Sequence, residues 1–450
     1  MCRWFATSSL IAGLLLASVC ASARTRPHYG GTLRVDTQGD PWQGRDSIGR
    51  RMVFDSLTRI DSSGVVQPAL AVRWQSQNGD HRWQFWLRPG VRFHDGSLLT
   101  ADGVVQSLTR SCAQCPWTAV RSLGDSVVFT MGSPDPVLPA ELARSLYAIS
   151  RQDASGDLVG TAAFRFVSQS NGLLTLAAVD DAWQGRPFVD AVEINGGRSV
   201  RNQWLDLSSG RADVFEVPVE NLHQAQQEHL AVVESGDCDL LVLSVARTGV
   251  LQDDAQREAV ALAVDRAALY NVIFQKQGEM TAGLLPTALT GYSFLFPKER
   301  DLVRAQTLRG GANGSPLTLT VEGANAVVQL AAERIALNLR EAGFRVLVVP
   351  HGSSAVADLT LKVVHLESAD AQAALRQMLG VFNQANQIPA EESNNPAALY
   401  RGEAGFLQTH QAVPLLYLPR AYGVGPRAHG LQLSADGLPM LADVSVEDSK

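Results

Sequence analysis

The chain has 450 residues, of which 46% are apolar, 18% charged and 7% aromatic, enough apolar material to bury at least two cores. Thirty-eight Lys plus Arg against 45 Asp plus Glu give a formal net charge of −7. No long-range positive field therefore draws a nucleic-acid backbone, and DNA and RNA are not expected partners.

Within residues 1–23 Arg3 is the only charge, an apolar run follows from Leu10 to Val19, and Ala21-Ser22-Ala23 fits a small-residue cleavage site. This pattern reads as a secretory signal peptide, which places the mature chain in the periplasm. A lipoprotein signal competes, because Cys20 follows Ala17-Ser18-Val19; Val19 is a poor match to the small residue that precedes a lipidated Cys. No other stretch approaches the roughly 18 consecutive apolar residues of a transmembrane helix.

Short strands and helices then alternate without a repeat, which predicts an α/β fold. The first strand is Thr32–Val35, left through the polar loop from Asp36 to Trp42; such loops, at the carboxyl ends of strands, present ligand groups in α/β sheets. Trp83, Phe85 and Leu87 alternate with Gln84, Trp86 and Arg88, the period of a strand with a buried face. Thr100 caps a helix whose Val104, Val105 and Leu108 share one side. Of the cysteines beyond the signal, Cys112 and Cys115 follow that helix and suit a local disulfide, with Cys238 apart. Free thiols or a metal or redox site are the alternatives, the metal reading lacking further ligands.

Asn171-Gly172 between two apolar runs predicts a hairpin. Leu317–Val321, a helix over about 326–342 and a strand over 344–349 form a βαβ unit, with Val328, Ala331, Ile335, Leu339 and Ala342 on the buried face and Gly343 as terminator. The second half is thus expected to carry its own sheet. The loop over 309–316 is glycine-rich but lacks phosphate-loop spacing.

The chain has no Gly-x-Ser-x-Gly elbow and no His-Glu-x-x-His helix, and nothing nominates an enzyme, a metal or a cofactor. His81, His94, His351, His365 and His410 read as surface or turn residues, and Asp180-Asp181 and Glu391-Glu392 as solvated pairs. Trp42, Trp117, Trp183, Trp204, Tyr417 and Tyr422 fall near predicted loops and strand ends. Singly each reads as packing, while together they suit an organic ligand enclosed between lobes.

Phe54-Asp55-Ser56-Leu57-Thr58-Arg59-Ile60-Asp61, Gln67-Pro68-Ala69-Leu70-Ala71-Val72-Arg73-Trp74 and the run from Trp83 through His94-Asp95-Gly96 to Val104 resemble the extracellular solute-binding proteins family 5, the dipeptide, oligopeptide and nickel binding components of ABC importers. Gly160–Phe166, Trp183–Pro187, Arg257–Arg266 and Ala412–Tyr417 extend the likeness, which runs from about Gly30 to Asp443. The resemblance implies a periplasmic binding protein-like type II fold, with two α/β lobes joined by two crossover segments, here near Leu241–Arg247 and Pro414–Tyr422. Lobe one is then 24–243 plus 419–450, with a peripheral subdomain over about 50–160, and lobe two is 244–418.

The resemblance also implies a monomer that captures a small solute or peptide and hands it to an inner-membrane ABC permease, without catalysis. Ligand-facing positions by the family pattern are Asp36, Thr37, Gln38, Trp117 and Tyr417, with Arg420 and Tyr422 on the same crossing; a hinge salt bridge is the alternative for Arg420. The chain departs from the family between Lys362 and Pro396, where it is short and lacks the Asp-rich motif of peptide binders, since Asp370 lies in a helical context. A non-transport interaction or sensory module with a degenerate cleft is the rival expectation.

Overall fold

The computed structural model describes residues 29–44, 47–61, 64–111, 115–153, 155–311, 315–323, 325–349, 357–384 and 395–447. The expected signal segment 1–23 and Cys112 lie outside these residues. Cys115 is disulfide-bonded, and Cys238 is free and buried. Among the described residues, no helix is long and apolar enough to cross a membrane.

The backbone of the molecule is one eleven-stranded sheet rather than the two expected. From one edge its strands are Phe164–Ser170, Leu173–Ala178, Ala191–Asn195, Thr32–Asp36, Val214–Val217, Ala412–Val424, Ala231–Val245, Leu359–His365, Leu317–Val321 and Val346–Val348, while Glu279–Met280 pairs onto Ala412–Val424. The two halves fuse because Ala231–Val245 and Ala412–Val424, strands of 15 and 13 residues, run through both.

The start of the first long strand pairs with the end of the second, Ala231 opposite Val424, and Val214–Val217 pairs alongside. Register shifts then fall between Glu234 and Asp239, and from Asp239 onward the strand gains Leu359–His365 as its other neighbour. The pairing of the two long strands is therefore irregular over about 234–239, opposite Pro419, and not through the expected crossing at 241–247 as a whole. The physical reason is composition. Leu240 to Leu243 are all buried, so they belong inside a two-sided sheet, whereas the polar run with Gly236 tolerates bulges.

Side chains alternate across each half. Leu241 and Leu243 face a core with Leu319, Ile335 and Leu339, and Leu240 and Val242 face another with Leu375, Met378 and Phe406. In the first lobe Leu33, Val35, Val192 and Ile194 share a core with Tyr422. A separate four-stranded sheet, Ala71–Gln77, Arg82–Leu87, Ser126–Met131 and Trp117–Leu123, packs Trp83, Phe85 and Phe129 against Val104 and Leu108 of the helix Ala101–Ser111. The buried residues of this core run from Leu57 to Ile149.

The local expectations have visible causes. Thr100 Oγ1 accepts from the Gly103 amide at 3.1 Å, capping the helix. Asn171 and Gly172 both take positive φ, 51° and 81°, the requirement of a tight two-residue hairpin turn. In the βαβ unit, Asn325 caps the helix Ala326–Glu341, and the two strands are parallel. The last strand is only Val346–Val348, because the Phe344 amide still bonds Leu339 O at the helix end.

Gly160 joins subdomain and first lobe: its carbonyl accepts from the His94 amide at 2.9 Å, and a Cβ there would lie 1.8 Å from Val53 O. Backbone cannot yield as a side chain does, so Gly160→Ala is expected to destabilise the protein by about 2 kcal/mol or more, measured by urea unfolding.

Candidate functional site

A cavity of about 1150 Å³ opens where the first lobe, the subdomain and the C-terminal segment meet, with Glu367 reaching it from the second lobe. One wall follows from Asp55. Its carboxylate accepts from Trp183 Nε1 at 2.8 Å, Thr161 Oγ1 at 2.9 Å and Gln184 Nε2 at 3.0 Å, which ties the 183–188 loop to the segment after the helix Ile48–Val53. Burial nevertheless holds this carboxyl above its ordinary range. Trp183 in turn carries the Arg88 guanidinium 4.5 Å above its ring.

From the cavity floor a line of charges runs into the hinge. Arg51 pairs with Asp436, and both line the cavity. Asp436 lies 3.8 Å from His365 Nε2, and His365 Nδ1 lies 2.7 Å from Asp239 Oδ1. Asp239, on one crossing strand, holds Arg420 of the other through two bonds of 2.8 and 3.1 Å. The backbone amide of Arg420 also donates to Ser235 Oγ at 2.9 Å.

His365 thus corrects the surface reading: its side chain is 7% exposed. Burial and the Arg420 charge favour the neutral ring, but the Asp239 bond, with Asp436 and Cys238 close by, prevails and holds its pKa well above the ordinary value. Burial pushes Asp239 and Asp436 upward, yet their cations outweigh it and hold both well below the carboxylate range. Cys238, Asp239 and His365 place three donor atoms within 4.8 Å of one another. Because Arg420 binds both Asp239 oxygens and the imidazole is bonded to Asp239 with Asp436 on its other side, this cluster reads as an ion network and not a metal centre.

A second network joins the subdomain to the second lobe. Arg376, on the helix Ala371–Val381 capped by Asp370, forms a two-pronged pair with Asp135 at 2.8 and 3.1 Å and lies 3.7 Å from Glu141. Arg144 donates to Glu141 at 3.0 Å and stands 3.7 Å from Glu367. Glu367 also accepts from the Ser145 amide and hydroxyl at 2.9 and 2.6 Å. Burial raises the Glu141 pKa against the pull of Arg144 and Arg376. Val137 and Ala140 meet Ala373 beside these charges, so ionic and apolar contacts close the same seam.

The seven positions singled out by family pattern occupy different surroundings. Asp36 ends the first strand, accepts from Asn195 Nδ2 at 3.1 Å and is raised to about 6 by burial. Thr37 bonds the Gly39 carbonyl at 3.0 Å, and the exposed Gln38 follows. Trp117 packs edge-on to Phe129 in the subdomain core. Tyr417 is fully buried in the second lobe, its hydroxyl donating to Leu284 O, and Tyr422 is buried in the first. Arg420 makes the hinge salt bridge. None of the seven lines the cavity, although Trp183, noted for its ring, does. Arg51, Asp239, Glu367, Arg376 and Asp436 were missed because their partners are remote in sequence; the turn Ser434-Ala435-Asp436-Gly437 is a local signal for Asp436.

Two outcomes follow from the networks. Arg376→Ala leaves the buried Asp135 without its cation and Glu141 with Arg144 alone, and should cost about 3 kcal/mol in chemical unfolding. His365→Gln should lower the thermal midpoint near pH ~6, with a deficit that shrinks as pH rises through the imidazole's folded value. A raised histidine stabilises only while the folded state binds the extra proton. Asp239 and Asp436, being depressed, contribute above the ordinary carboxylate range and lose that contribution as pH falls through their folded values.

A family model described as bacterial extracellular solute-binding proteins, family 5 Middle, matches residues 65–386. The nickel-binding protein NikA of Staphylococcus aureus is 25% identical over 235 residues, 49% of this chain and 48% of that protein. The HTH-type transcriptional regulator SgrR of Pectobacterium atrosepticum is 31% identical over 156 residues, 32% of this chain and 28% of the regulator. The chain thus spans about half or less of the length of these curated relatives. Among solved structures, NikA from Staphylococcus aureus in complex with Ni(L-His)2 superposes with a TM-score of 0.77 at 17% identity, covering 92% of this chain and all of that one. DppA from Helicobacter pylori in complex with the peptide STSA gives 0.80 at 18%, covering 94% and 99%. These likenesses establish the type II periplasmic binding protein fold, and with the match across 65–386 the chain belongs to the bacterial extracellular solute-binding proteins, family 5.

Proposed function

We propose that this protein is the periplasmic substrate-binding component of an ABC importer, which takes a small solute into the cavity at the lobe junction and presents it to an inner-membrane permease. The observation that carries the reading is the cavity itself: it is bounded by both lobes through Glu367 and Asp436, and Asp436 is wired through His365 to the two crossing strands. A solute that touches this wall acts on the groups that set the hinge, and a binding protein works by favouring one hinge state over another.

In this reading the protein acts as a monomer, catalyses no reaction and leaves the cytoplasm by the signal peptide of residues 1–23. The cargo class is open across the fold, since neighbours were solved with a nickel–histidine complex, with a peptide and, for AgaA of Agrobacterium tumefaciens, with agropinic acid. Asp36, Thr37 and Gln38 lie together at the carboxyl end of the first strand, the place where an α/β sheet offers groups to a ligand, and they are proposed as a second contact region. Trp117, Tyr417 and Tyr422 act in this reading through the cores they fill, and Arg420 through the hinge.

Thermal unfolding against peptides, sugars, amino acids and metal chelates tests the proposal. A solute at a hundred times its dissociation constant should add about 2.7 kcal/mol. A folded protein that responds to none of the panel at millimolar concentration points instead to the interaction or sensory module.

A further inference from the structure

The cavity is unevenly charged once its internal pairs are counted. Arg51 is engaged by Asp436, and Arg186 by Asp180 and Asp190. On the acidic side, Glu367 is held by Ser145 and Arg144, the Asp55 carboxylate by three donors and Asp61 by Gln67 Nε2 and the Val65 amide; Asp443 remains exposed on the lining. Three lining arginines, Arg59, Arg88 and Arg110, have no carboxylate within ion-pair distance among the described residues. Arg110 donates one bond, to Ser150 O at 2.7 Å.

Arg88 is the best organised of the three. Its Nε donates to Ala69 O at 3.2 Å, its flat face lies on Trp183, and Trp183 is itself fixed by Asp55. The guanidinium is therefore held on one edge and one face, while its two terminal nitrogens have no protein acceptor among the described residues. A planar fork held in this way matches two oxygens of a carboxylate or a phosphate, and little side-chain freedom remains to be lost on binding.

We infer that the solute of this cavity is an anion whose oxyanion group is gripped by the terminal nitrogens of Arg88, with Arg59 and Arg110 adding positive charge to the same wall. The inference rests on the cavity being the solute site. It names the ligand chemistry without choosing between an organic acid and a phosphate ester.

Calorimetry and thermal unfolding of the purified protein with L-glutamyl-L-glutamate, citrate, glycerol 3-phosphate, L-alanyl-L-alanine, L-lysyl-L-lysine and glucose test it. At least one acidic probe should bind, with affinity falling as salt is raised. Arg88→Met should weaken that probe tenfold or more, and Arg88→Lys should recover only part of the loss. The carboxylate and phosphate arms identify the source of the oxyanion. Should Arg88→Met prove unfolded by circular dichroism, the exposed Arg59→Gln serves, with an expected loss of threefold or more. Binding confined to neutral or cationic probes, or acidic binding unchanged in both variants, overturns the inference while leaving the solute-binding reading intact. A folded protein that binds no probe at all overturns both.

Discussion

The contact between Asp239 and Arg420 governs the rest of the molecule, because it joins the two crossing strands where the lobes change partners. Asp239 begins the pairing with Leu359–His365, and Arg420 follows Pro419, the residue at which the opposite strand passes its own irregularity. A two-pronged pair at this point sets the relative twist of two strands that extend into both lobes. His365 and Asp436 carry the same constraint to Arg51 on the cavity wall, so hinge geometry and cavity shape are not independent.

Charges this deeply placed are a poor source of net stability. Desolvation offsets much of the attraction, and an apolar cluster of equal volume would hold the strands together as well. What apolar packing cannot supply is direction, since Leu240 to Leu243 would tolerate several neighbouring arrangements whereas the Asp239–Arg420 fork tolerates one. The seam between subdomain and second lobe has the same character. Asp135, Glu141, Arg144, Glu367 and Arg376 define how the faces meet, and Val137, Ala140 and Ala373 supply the apolar contact beside them. A solute adds its contacts to a closure that the protein's own side chains already shape.

The family relationship and the cavity speak to different questions. The fold has been solved around nickel–histidine, a peptide and agropinic acid in the neighbours, and a scaffold shared by such different cargo does not choose among them. The choice lies with particular side chains. Here Glu367 and Arg376 of the second lobe are turned toward the subdomain.

Much of the fold was legible locally. The alternation at Trp83, Phe85 and Leu87, the Asn171-Gly172 turn, the Thr100 cap and the period of Val328, Ile335 and Leu339 all act over distances of a few residues, where periodicity and turn chemistry are sufficient. The family motifs likewise pointed to two lobes and two crossings. The sequence did not disclose that both lobes share one sheet, because that depends on how far the two long strands run before their partners change. Nor did it disclose the charge chains: Arg51 and Asp436, or Asp135 and Arg376, are brought together only by the complete fold. A carboxylate in a sequence looks solvated until the structure removes its water, so His365, unremarkable beside Leu366, became a buried link between two acids only when strands and tail had closed around it.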